Sequence, residues 1–136
     1  MMRYLVAVTM LICLWQQWDY QIVPYADVYK NDLIVFQRGE AIAPYHARVL
    51  LYWTALALSG GQQERFFTVL AALDLVTLAA ALVSLYALLC YVFGGERGVI
   101  GLLIAELLFV TFVIYPGGFI AWSWLEMALI NSALML

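Results

Sequence analysis

One run of 28 residues, Phe66 to Phe93, contains a single charged side chain, Asp74. No other stretch constrains the fold so tightly. A hydrocarbon core about 30 Å thick needs roughly 20 apolar helical residues to cross, so this run is long enough to cross with tilt. The rest of the chain agrees with it: 67% of the 136 residues are hydrophobic, 11% are charged and the mean hydropathy is +0.96. Soluble domains carry about 25% charged residues, and a short chain buries the smallest fraction of its surface. The sequence therefore predicts an all-α integral membrane protein forming a single helical domain over 1–136.

The expected arrangement is about five transmembrane helices, with spans near 2–18, 45–59, 66–93, 99–115 and 119–136. The first is short, but Arg3 can snorkel at one end while Trp15 and Trp18 anchor the other. It resembles a signal anchor more than a cleaved signal, because Gln16-Gln17-Trp18-Asp19 offers no pair of small residues for cleavage. Gly60-Gly61 ends the second span, Gly94-Gly95-Glu96-Arg97-Gly98 predicts a tight turn, and Pro116-Gly117-Gly118 breaks the chain again. The last span, ALINSALML at its end, lacks the polar flank that settles a helix at an interface. Either more chain follows, or a neighbouring protein caps it.

Between the first two spans lies a polar segment, 16–48. It holds seven of the fifteen charged side chains, two of the three prolines, the lone histidine and four tyrosines. With Tyr20, Tyr25, Tyr29 and Tyr45 at headgroup depth, it predicts an interfacial loop with short helices. The signal-anchor character of the N-terminus puts this segment outside. The distribution of Lys and Arg leans the other way.

Function classes fall away in turn. A net charge of −3 without a basic patch excludes nucleic acid as a partner. Cys13 and Cys90 lie in apolar runs, with neither a disulfide framework nor a metal-ligand spacing, and a lone His46 lacks companions for a metal site. No cofactor is implied by a ligand cluster. Bound lipids are expected, and the aromatic content allows pigment or quinone contacts.

Candidate site residues form two groups. Asp74, Glu106 and Glu126 are carboxyls at mid-depth in the last three spans. Acids there cost several kcal/mol unless paired, protonated or facing water. They support either a proton or cation path, or interhelical hydrogen bonds to groups such as Thr77, Ser84, Thr111, Ser123 and Asn131. The second group is Asp19, Asp27, Tyr45, His46 and Arg48. Either aspartate could serve as a base or hold a cation, and Arg48 could bind phosphate as a two-pronged donor. The bland alternatives are loop acids and a snorkelling anchor.

Asp19 or Asp27 after an anchor-like helix, then Gly39 and Pro44-Tyr45-His46-Ala47-Arg48-Val49-Leu50, resemble the N-terminal part of the polytopic GT-C glycosyltransferases. Trp122-Ser123-Trp124-Leu125-Glu126 resembles the start of a later helix in them. The resemblance implies that Asp19 or Asp27 activates an acceptor and that Arg48, with Tyr45 and His46, lies by a lipid-linked phosphate. That family uses about seven or more helices to enclose its site, against about five here.

The expectation is therefore a non-catalytic, multi-spanning accessory subunit packed in a larger membrane complex, with other integral membrane chains and lipids as partners. The expected location is the bacterial inner (cytoplasmic) membrane. A glycosyltransferase-like fragment is the alternative, and a small proton- or ion-coupled transporter comes third.

Overall fold

The computed structural model describes residues 2–24, 26–27, 34, 38, 49–109 and 121–136. Among these residues the regular structure is helical, without strands: α1 (Met2–Gln17) passing directly into a π-helical turn (Trp18–Ile22), α2 (Val49–Ser59), α3 (Gln63–Phe93), α4 (Gly95–Phe109) and α5 (Ala121–Ala133). The all-helical expectation is met. Among the described helices α3 alone is both long and apolar enough to cross a membrane, with 31 residues and a mean hydropathy of 2.3 over an 18-residue window. At 1.5 Å per residue it is about 46 Å long, and α2 is about 16 Å.

The helix boundaries refine the expected spans. The first helix fills the expected span, 2–18, and does not stop there. It carries on through the π turn, closed by Val23 N–H donating to Trp18 O at 2.9 Å, an i→i−5 bond. Gln16 and Gln17, read above as the start of the polar segment, are thus helical. α3 begins three residues before Phe66. The predicted five-residue turn at Gly94–Gly98 shrinks to Gly94 alone: with φ +83° it donates from its N–H to Cys90 O at 3.0 Å, and α4 starts at the next residue. Its left-handed φ is one that residues with a Cβ adopt rarely, which is why one residue suffices to reverse the chain.

That hairpin brings two backbones very close. A Cβ placed on Gly98 would lie 2.7 Å from the backbone nitrogen of Cys90 and 2.8 Å from its Cα. These are main-chain atoms that cannot swing aside, so the α3–α4 separation at this level requires glycine.

α3 is the organising element. On one side of its N-terminal half, Phe66 and Leu70 pack with Ala55 of α2, and the Tyr52 and Phe66 rings stand 6.1 Å apart. Further along, Leu78, Ala81 and Leu82 join Cys13 of α1 and Ala128 of α5. Val6 of α1 meets Val99 and Leu102 of α4 in a third cluster. Large apolar and aromatic side chains also lie on the outside: Trp15 is 69% exposed, Tyr91 72% and Leu107 68%. Inside lie Gln17, Asp74, Ser84, Glu106 and Asn131, each buried. A helical protein in water inverts that distribution, with apolar stripes facing inward and polar faces outward.

Candidate functional site

The polar groups of the interior define the candidate site, and all but the Ser84–Asn131 pair between α3 and α5 lie where α1 meets α3 and α4. α1 presents Thr9, Cys13 and Gln16 or Gln17 inward. Spacings of four and of three or four place these on one stripe of a helix. That stripe faces a carboxyl at two levels.

At the first level, Asp74 of α3 is buried and its Oδ2 accepts a 2.7 Å hydrogen bond from Gln17 Nε2. Gln17 is itself fully buried. A carboxyl in an apolar interior is tolerated when a donor meets it. For the three acids the sequence offered Thr77, Ser84, Thr111, Ser123 and Asn131 as partners; Thr111 and the side chain of Ser123 lie outside the described residues. Thr77 instead donates to the carbonyls of Leu73 and Asp74 on its own helix, as hydroxyls in helices commonly do. Ser84 pairs across to α5, where Asn131 Nδ2 donates to Ser84 Oγ at 3.2 Å. Both interhelical bonds tie an outer helix to α3.

At the second level, Glu106 of α4 is 4% exposed, and neither of its carboxyl oxygens has a hydrogen-bond partner. Thr9 lies within interaction range of it, but its hydroxyl proton goes to the carbonyls of Leu5 and Val6 at 3.1 and 3.0 Å. Glu106 stands in the wall between two spaces. One is an open groove of about 240 Å³ between α1 and α4, lined by Thr9, Ile12, Cys13, Gln16, Leu103 and Leu107. The other is a smaller cavity of about 60 Å³ toward α3 and α5, bounded by Leu78, Leu82 and Met127 among others. The amide oxygen of Gln16, in the groove wall, is likewise buried without a hydrogen-bond partner.

The other expected residues are placed as follows. Asp19 is exposed on the π turn, and Asp27 is exposed beyond it. Glu126 falls within α5, its side chain outside the described residues. Tyr45, His46 and Arg48 lie outside the described residues, as do Pro116-Gly117-Gly118. The structure therefore brings together Asp74 with Gln17, and Glu106 with Thr9, Cys13 and Gln16. It gives the two acids separate surroundings. Among the described residues, no group of three His, Cys, Asp or Glu side chains is placed to hold a metal ion.

Reasoning from sequence missed Gln16 and Gln17. Their signal was present, since an amide pair at the end of the first span, 2–18, sits in register with Thr9 and Cys13 on a helix. Comparison with family models, with curated proteins and with solved structures finds no match for the chain.

Proposed function

We propose that this chain is an integral membrane protein that acts as a non-catalytic, multi-spanning subunit, packing with other membrane chains in a larger assembly. The observation that carries this reading is the distribution of polarity. Buried amide–carboxyl and amide–hydroxyl bonds hold α1 and α5 to α3, while the exposed faces of α1, α3, α4 and α5 carry large apolar side chains. Contiguous apolar surface on this scale marks contact with a membrane or with other proteins.

Two features favour a packed subunit over a chain surrounded by lipid alone. α2, at about 16 Å by its eleven residues, falls short of a ~30 Å core and is accommodated most simply against neighbouring protein. α1 uses one stripe for this chain, while Tyr4, Leu11 and Trp15 on its other faces remain exposed. Lipids are the remaining partner.

No observation favours the other two readings. For a glycosyltransferase, Asp19 and Asp27 are exposed side chains with no cavity lined by either among those described. For a proton- or ion-coupled transporter, Asp74 and Glu106 face separate surroundings rather than each other. The deciding experiment is native mass spectrometry of the protein extracted in mild detergent. The expected result is co-release with at least one other membrane chain in fixed stoichiometry. Release as a lone chain carrying only lipid would remove the subunit reading.

A further inference from the structure

The groove at Glu106 is not explained by packing within this chain or by the subunit reading. It is open, it is walled by Ile12, Leu103 and Leu107, and three oxygens next to it lack hydrogen-bond donors: both of Glu106 and Oε1 of Gln16. Buried polar atoms are nearly always satisfied, and an orphan costs about 1–3 kcal/mol. Three of the five buried side-chain oxygens that lack a hydrogen bond among the described residues gather at this one groove, which calls for a ligand that can both donate and accept.

We propose that the α1–α4 groove binds the head of a hydroxyl-bearing amphiphile, whose hydroxyl groups donate to Glu106 and Gln16. Several physical points select this class. The volume of about 240 Å³ falls below the roughly 300–1,000 Å³ of sites that enclose a whole small molecule, so the groove takes a head and leaves the tail outside. Exposed Val8, Ile12, Ile104, Leu107 and Leu108 on α1 and α4 provide apolar surface for that tail, and Ile12 and Leu107 also line the groove. A neutral carboxyl carries one O–H and one acceptor oxygen, so with an alcohol it forms reciprocal bonds without a buried charge. An ammonium head would instead require a buried ion pair, whose desolvation offsets much of its attraction. The oxygens of Glu106 are closed to solvent, so binding at the groove requires the carboxyl to turn toward it about its own side-chain bonds. Two sources share this chemistry: the polyol head of a membrane lipid, and a free long-chain alcohol.

The inference rests on the membrane reading, and the two fail differently. A chain that stays in aqueous solution without detergent would overturn the membrane reading before any ligand is added. The test proper uses the full chain in an amine-oxide detergent, which has no hydroxyl to compete, and labels it with dicyclohexylcarbodiimide. The reagent takes the carboxyl proton on one nitrogen and the carboxyl oxygen on its central carbon, so its whole mass is retained and peptide mapping locates it. Glu106 is expected to label, and Asp74, bonded to Gln17, to stay unlabelled. Monolauroyl glycerol should slow labelling of Glu106 at least about threefold, in line with one or two net hydrogen bonds, while methyl laurate, with the same tail and no donor, should not. Equal protection by dodecanol identifies a single hydroxyl, hence a free alcohol, as sufficient. Protection by the glyceride alone identifies a lipid polyol, and either result supports the proposal. Gln16→Leu should keep the labelling and lose most of the glyceride's protection. No labelling of Glu106, equal protection by methyl laurate, protection by dodecylamine only, or unchanged protection in Gln16→Leu would each overturn it.

Discussion

Asp74 and Glu106 each stand eleven residues past the start of their helices, α3 and α4, and each is 4% exposed. In sequence they are near equivalents: single acids in apolar runs, nine residues after Arg65 and Arg97 respectively. In the fold they differ completely. Asp74 accepts a short bond from Gln17, whereas Glu106 meets the same helix one to two turns earlier, where α1 offers a thiol and a hydroxyl committed to its own backbone. The difference lies in α1, and it shows that depth in an apolar helix does not decide what a carboxyl does. The donor on the facing helix decides it. The first acid fastens α1 to α3. The second is left with unmet hydrogen-bonding capacity beside an open groove.

Four substitutions test or sharpen this contrast. The largest effect is expected from Gly98→Ala, which forces α4 off Cys90 and so disturbs the Glu106 side while leaving the Asp74 contact in place. A loss of about 3 kcal/mol is expected, at the upper end for overpacking, read as unfolding in mixed micelles. Gln17→Leu strands Asp74 and should cost about 1.5 kcal/mol, near the top of the range for intramembrane hydrogen bonds; a loss below about 0.5 kcal/mol would mean the bond does not hold α1. Glu106→Met should go the other way, stabilising by about 1 kcal/mol because it removes a buried group without partners. If it destabilises by as much as Gln17→Leu, the contrast between the two acids collapses. Gly101→Ala should change stability by less than about 0.5 kcal/mol. Its Cβ would meet only the flexible Leu89 side chain, at 3.5 Å, and alanine favours a helix over glycine.

Much of the fold was legible because it rests on composition and local chemistry. The Phe66–Phe93 run had to be a helix, and the glycines after Ser59 and Phe93 had to end helices there. The buried acids were also legible as sites of interest, since few other polar groups interrupt those runs. Their partners were not. Gln17 fell in both the expected first span and the polar segment, and no local propensity announces the π turn at Trp18–Ile22 that carries the helix on past it. Thr77 and Ser84 were plausible partners by composition, but each spends its hydroxyl proton on its own helix backbone, as Ser84 does on Ala81 O even while accepting from Asn131. The turn at Gly94–Gly98 was overestimated for a similar reason: Gly98 is needed not for its backbone angles but for the close approach of Cys90.

By itself the sequence determined the class of structure and its outer surface, because periodicity, length and hydrocarbon content are properties of one segment at a time. It also determined where charge is scarce, and therefore where a charge must matter. Only the tertiary structure decided which of two similar carboxyls meets a side-chain donor on the facing helix. Hydrogen bonds between helices depend on the axial offset and rotation of two elements together, and packing around α3 sets both. A shift of one turn along α1 separates Gln17, which holds Asp74, from Cys13, which leaves Glu106 facing the groove.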